Sequence, residues 1–254
     1  MMHRLKKEKK YSYIEAGEGT PIIVLHGLMG GLSNFDSVIK YFSTKGYKVI
    51  VPELPIYTMT LLKTNVKSFA KYLYDFIVFK GFDEVILLGN SLGGHIGLYH
   101  TKLHPEKVKA LIITGSSGLY ESAMGGGYTK RGDYEVIKKK AQEVFYDPAV
   151  ATKEIVDEVY ETVNDRNKLI KTLAIAKSAI RHNMSKDLPK LMVPTCIIWG
   201  KNDNVTPPEV AEEFHSLLPD SDLYWIDKCG HAAMMEHPDE FNEVMNGWLQ
   251  KRGL

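Results

Sequence analysis

Cysteine is scarce in this sequence: of 254 residues only two, Cys196 and Cys229, carry a thiol. Neither stands in a Cys-x-x-Cys or Cys/His ligand spacing, which argues against a metal site, and one pair makes a poor disulfide framework. A reducing, cytoplasmic compartment is the expectation. Long hydrophobic runs are missing too, since no apolar stretch reaches the roughly 18 residues that a membrane span needs. The basic start, MMHRLKKEKKYSY, has no apolar segment behind it, so it reads as a solvated, frayed end and not as a secretory signal. An excess of one charge is also absent. A formal net charge of +1 with 25% charged residues argues against a nucleic-acid partner, which usually calls for a basic surplus. No internal repeat or low-complexity linker is visible. The expected partner is a small molecule, and a homo-oligomer is compatible with the composition.

What the sequence does hold is an alternation. Short apolar runs (YSYIEAG, PIIVLHG, YKVIVPEL, EVILLGN, VKALIITG, PTCIIWG and DLYWID) are separated by helical patterns. Several runs are unbroken Val/Ile/Leu, as suits parallel strands covered on both faces. In VKSFAKYLYDFIVFKG the apolar residues Val66, Phe69, Leu73, Phe76 and Ile77 recur at helical spacing, and Gly81 marks the stop. PEVAEEFHSLLP and PDEFNEVMNGWL open with Pro and acids, as helix N-termini prefer. Strand–helix alternation predicts an α/β fold: an open, mostly parallel sheet with helices on both faces. The pattern breaks over residues 119–187, where helical segments follow one another without a strand. We read this stretch as a helical cap or lid insert, and residues 1–118 with 188–254 as the core. Its position after a strand's C-terminal end is where open α/β sheets bind ligands.

Within EVILLGNSLGGHIGLY, Ser91 sits between Gly89 and Gly93 at the point where a strand gives way to a helix. Gly-x-Ser-x-Gly in that setting describes a nucleophile elbow. The turn leaves no room for flanking side chains, and it holds the serine in a strained conformation that lifts Oγ into a cleft over a helix N-terminus. A serine hydroxyl needs a base, and the base needs a third group to orient it. Asp203 follows the strand of PTCIIWGKNDNVTPP, and His231 follows the last strand in DLYWIDKCGHAAMMEHP. The order Ser, Asp, His is the one the elbow predicts. Asp227 is too close in sequence to His231 to be its natural orienter. His95, His100 and His104 follow the elbow on its helix and read as packing or solvent-facing residues. The oxyanion donors should be the backbone N–H groups of Leu92, after the nucleophile, and Leu28, in the glycine-rich loop after PIIVLHG. His26 reads as a residue that fixes this loop through its side chain.

Together, LHGLMG, GNSLGG, HPEKV, WGKNDNVTP and CGHAAMMEHPDEFN resemble the α/β-hydrolase superfamily along nearly the whole chain. The resemblance implies a mostly parallel eight-stranded sheet with a helical cap after the sixth strand. Asn90, the SNF of Ser33 to Phe35, and CGH followed by EHPDEFN look most like the meta-cleavage-product branch, whose members cut carbon–carbon bonds in ring-fission dienoates. Two positions depart from that branch. Ala232 stands where a Trp usually follows the histidine, and the helix EIVDEVYETV offers no arginine for a substrate carboxylate, with Arg166 and Arg181 as nearby substitutes.

The expected reaction is hydrolysis through an acyl-enzyme: Ser91 attacks a carbonyl, His231 takes its proton, and Asp203 fixes the imidazole. No cofactor or metal is called for. The expected substrate is a small to medium, largely apolar ester or thioester. The alternatives are carbon–carbon hydrolysis, a lyase or cofactor-free oxygenase, and a ligand sensor that keeps the same pocket. Candidate pocket residues are Met29, Phe35, Tyr57, Asn90, Met124, Tyr128, Met234 and Met235.

Overall fold

The computed structural model of the protein describes residues 4–120 and 130–254. Met124 and Tyr128 therefore lie outside the described residues. Eight strands form one sheet: β1 (Lys6–Glu8), β2 (Tyr11–Ala16), β3 (Thr20–Leu25), β4 (Tyr47–Pro52), β5 (Val85–Asn90), β6 (Val108–Thr114), β7 (Thr195–Gly200) and β8 (Ser221–Ile226). Their spatial order is β1-β2-β4-β3-β5-β6-β7-β8. β1 and β2 pair antiparallel and β2 meets β4 antiparallel, while every other pairing is parallel. The described helices are α1 (Asp36–Phe42), α2 (Val66–Lys80), α3 (Leu92–Leu103), α4 (Tyr134–Gln142), α5 (Lys153–Asn164), α6 (Arg166–Arg181), α7 (Pro208–Leu217), α8 (Ala233–Glu236) and α9 (Pro238–Lys251).

The seven apolar runs are all strands. β1 was not expected. Its three residues are exposed and pair with β2 through Lys6–Tyr13 to Glu8–Tyr11, so the basic start is an edge strand where the sequence suggested a frayed end. Backbone pairing, which needs no apolar pattern, accounts for it.

The unbroken apolar runs are explained by two cores. Successive residues of a strand point to opposite faces. Ile23, Leu25, Leu87, Leu111, Ile113, Ile197 and Trp199 join the cluster that packs on α2 and α7. Ile22, Val24, Ile86, Leu88, Ile112, Cys196 and Ile198 join the other, with α1 and α9 residues such as Phe42, Phe241 and Trp248. β5 and β7 are buried at every position and β3 over Ile22–Leu25, so none of these positions needs to be polar.

Local signals place the helices. The Asn65 side chain accepts the Ser68 N–H at 2.9 Å to cap α2, Gly81 ends it at φ 71°, and Val66, Phe69, Leu73, Phe76 and Ile77 are all buried. Pro208 and Pro238 occupy the first positions of α7 and α9. α4, α5 and α6 lie between β6 and β7, so the insert follows the sixth strand. The chain leaves β3 to form β4 on one side and then β5 on the other. The crevice at their C-terminal ends is the switch point where ligands of open α/β sheets bind. Among the described residues no helix is long and apolar enough to cross a membrane.

Candidate active site

At the end of β5 the chain turns through Ser91, whose φ of 53° and ψ of −118° place a non-glycine residue in the left-handed half of backbone space. Such a conformation costs on the order of 1–3 kcal/mol and persists only where its surroundings enforce it. Here they do. A Cβ on Gly93 would lie 2.0 Å from the Leu25 carbonyl oxygen, and one on Gly89 would lie 2.4 Å from the Gly94 nitrogen. The elbow is thus wedged against the end of β3. The Ser91 N–H donates to the Thr114 carbonyl at 3.1 Å, and the Ser91 carbonyl accepts from Ser117 and His95, each at 3.2 Å.

Asp203 sits in the turn after β7, with both carboxylate oxygens engaged. Oδ1 accepts the Val205 and Thr206 N–H groups at 2.8 and 2.9 Å. Oδ2 accepts the Thr206 hydroxyl at 2.8 Å and the Nδ1–H of His231 at 2.8 Å. A carboxylate offers only acceptors, so the proton of a neutral His231 resides on Nδ1 and Nε2 carries the lone pair. Nε2 is buried and has no hydrogen-bond partner among the described residues. His231 and Ser91 line the same cavity. Gly115, at φ 52° after β6, makes room for the ring: a Cβ there would lie 2.8 Å from His231 Nδ1.

The cavity measures about 220 Å³. The loop after β3 contributes Gly27, Leu28, Met29 and Gly30, and the insert contributes Lys140, Val144, Phe145, Ile155, Glu158 and Val159. Met29, Asn90 and Met235 stand on its wall, and Ala232 does too. Leu92 is the first residue of α3, so its N–H has no partner within the helix. His26 holds the Leu28 loop. The Leu54 N–H donates to its Nε2 at 3.1 Å, which leaves Nδ1–H to donate to the Gly27 carbonyl at 2.9 Å. Burial pushes the His26 pKa down and keeps this ring neutral.

Three candidates stand elsewhere. Phe35 and Met234 are fully buried in the core cluster beside α1 and α9 and are not on the cavity wall. Large apolar residues flanking a motif serve the core as readily as a pocket, and the pattern alone does not separate the two. Tyr57 lines a second cavity of about 270 Å³, which shares Met29, Gly30 and Glu158 with the first. Neither Arg166 nor Arg181 lines the first cavity, whose cation among the described residues is Lys140. Sequence reasoning missed Thr206, whose backbone and hydroxyl both bind Asp203. The signal was the threonine three residues after the aspartate, the spacing of a side-chain turn.

The sequence model of the family described as alpha/beta hydrolase fold matches residues 20–132 and 145–238. The chain belongs to that family. Among curated relatives, this α/β hydrolase is 31% identical to a 2-hydroxy-6-oxo-6-(2'-aminophenyl)hexa-2,4-dienoic acid hydrolase from Metapseudomonas resinovorans, over 94% of this chain and 87% of the relative. Among solved structures it resembles MGS-MChE2, an α/β hydrolase enzyme from the metagenome of lagoon sediments at Mar Chica, Morocco. The identity is 64% and the TM-score 0.83, with 99% of this chain and 100% of the other covered. A serine hydrolase involved in carbazole degradation is 30% identical, with a TM-score of 0.81 over 94% of each chain. The curated relatives thus favour the carbon–carbon alternative over the ester expectation.

Proposed function

We propose that this α/β hydrolase cleaves a carbon–carbon bond next to a ketone in a dienoate of the 2-hydroxy-6-oxo type, with Ser91 as nucleophile, His231 as acid–base and Asp203 as its orienter. The single observation that carries the reading is the strained serine sharing a cavity with a histidine whose Nδ1 is committed to a carboxylate. In the proposed sequence Ser91 Oγ attacks the ketone carbon while His231 Nε2 takes its proton, and the Leu28 and Leu92 N–H groups receive the oxyanion. Collapse breaks the adjacent carbon–carbon bond. The substrate reacts as its 2-oxo tautomer, so the electron pair leaving on carbon is delocalised through the remaining double bond onto the 2-oxo oxygen, and His231 returns the proton to that dienolate. Water then attacks the acyl-enzyme by the same route and releases a carboxylic acid. Lys140 is the lysine on the described cavity wall, which it shares with Glu143 and Glu158, and it is the candidate for the role the resemblance assigns to an arginine. The insert, residues 119–187, serves as the cap that closes over the substrate.

A second reading is hydrolysis of a small apolar ester or thioester by the same residues. It is favoured by the absence of arginine from the described cavity wall and by Ala232, which widens the wall where the branch has Trp. The two readings part in one assay. A purified dienoate and a series of p-nitrophenyl esters are offered to the wild type and to Ser91→Ala. The first reading expects the dienoate's kcat/KM to exceed that of every ester by at least about tenfold, and a faster ester reverses it.

A further inference from the structure

His231 is gripped from outside the sheet. Its N–H donates to the carbonyl of Val144 at 2.9 Å, in the segment that follows α4 within the insert. The neighbouring Gly230 packs so closely on this segment that a Cβ would lie 2.6 Å from the Val144 carbonyl oxygen. Glu236, the last residue of α8, joins the same two pieces of chain a second time. Its Oε2 accepts the Gly230 N–H at 2.6 Å, and its Oε1 accepts the Asp147 N–H at 2.6 Å.

We infer that Glu236 is a positioning residue, one carboxylate that fastens the histidine loop to the insert so that the imidazole of His231 reaches its working place only when residues 144–147 are seated. The inference rests on the reading of His231 as the acid–base. The chemistry of the side chain suits the task. A carboxylate has two oxygens and no donor, so it takes one backbone N–H on each side at once. Charged acceptors make hydrogen bonds about twice as strong as neutral ones. Glutamine has one acceptor oxygen, and its NH2 group set against a backbone N–H leaves that donor unpaired. Further holds on His231, from Asn90 at the carbonyl and from Asp203 and Thr206 at Nδ1, come from the sheet side. Glu236 and Val144 are therefore the links through which movement of the insert is felt at the base. Phe145 and Ala141, buried in the same cluster as Met234 and Phe241, anchor that part of the insert to the core.

The test is Glu236→Gln, with Glu236→Ala as its stronger form, read in three ways: turnover of the substrate, the thermal unfolding midpoint, and the low-field proton NMR resonance of the His231 Nδ1–H that binds Asp203. Misplacing a reacting group by about 1 Å can cost on the order of a hundredfold in rate. The expected result for Glu236→Gln is a fall in kcat of about tenfold to a hundredfold with KM changed less than about threefold, and a low-field proton that broadens or shifts in protein that remains folded. A folded variant with wild-type kcat and an unmoved resonance overturns the inference. So does a variant that loses only stability, with turnover per folded molecule intact. If the wild type turns over neither dienoate nor ester, the reading of Ser91 and His231 fails instead, and the resonance still decides whether Glu236 holds the ring.

Discussion

The side chain of Asn90 reaches 141 positions along the chain to donate a hydrogen bond to the carbonyl oxygen of His231 at 3.1 Å, and its other N–H binds the Thr114 carbonyl at the same distance. The residue before the elbow serine thereby ties the histidine loop to β6. Asn90→Ala removes the side-chain donor from the buried His231 carbonyl, a loss of roughly 1–3 kcal/mol, while the Thr114 carbonyl keeps the Ser91 N–H. Urea unfolding should show a drop of about 1–3 kcal/mol, and turnover per folded molecule should fall as well.

Gly93→Ala asks the elbow to accept a methyl group 2.0 Å from the Leu25 carbonyl oxygen. Neither backbone can retreat, because Leu25 ends the central strand β3 and Gly93 lies in the first turn of the buried helix α3. The expected outcome is a loss of about 3 kcal/mol or more, or no soluble protein. Gly247→Ala is the control: nothing lies within 4 Å of a Cβ there, on α9, and helix propensity predicts a gain of up to about 1 kcal/mol. Thermal unfolding of the two variants beside the wild type checks the pair.

Asp203→Asn replaces an acceptor with an amide that can present its NH2 group to His231 Nδ1. The proton then moves to Nε2, where the base needs a lone pair. On the proposed chemistry kcat should fall by about 10⁴-fold, with the fold intact by circular dichroism. A variant within about tenfold of the wild type contradicts the assigned role.

Stability should weaken below neutral pH. Burial pushes the pKa of His95 down to about 3, helped by His182 beside it, and that of His100 down to about 4, helped by His104. His26 is lowered by burial as well. A histidine with a lower pKa folded than unfolded binds its proton more readily in the unfolded chain. Its contribution is fully present above the unfolded value near 6.5 and is lost as pH falls toward the folded value, at up to about 1.4 kcal/mol per pH unit for each ring. The unfolding midpoint measured from pH 7.5 to pH 5 should drop in the wild type, and less steeply in His100→Leu.

The strands were legible because burial on both faces forces unbroken apolar runs, and the elbow was legible because Gly89 and Gly93 have no substitute beside Ser91. β1 was not, since Lys6–Glu8 is exposed and held by backbone pairing. Phe35 and Met234 were misplaced for a different reason: an apolar residue beside a motif satisfies a core and a cavity equally well, and only the path of the chain decides. The grip of the insert on His231 runs largely through backbone groups of Val144, Asp147 and Gly230, which leave no mark in the side-chain sequence. Glu236, five residues past the histidine, was the one side chain that could have announced it.

The proposed chemistry requires Ser91 to be the nucleophile that His231 activates. Exposure of the wild type and of His231→Ala to a fluorophosphonate ester, followed by intact-mass and peptide-mass analysis, tests this most directly. A single adduct on Ser91 in the wild type, forming at least about a hundredfold more slowly in the variant, is the predicted result. An adduct on another residue, no adduct, or equal rates in the two proteins would contradict it.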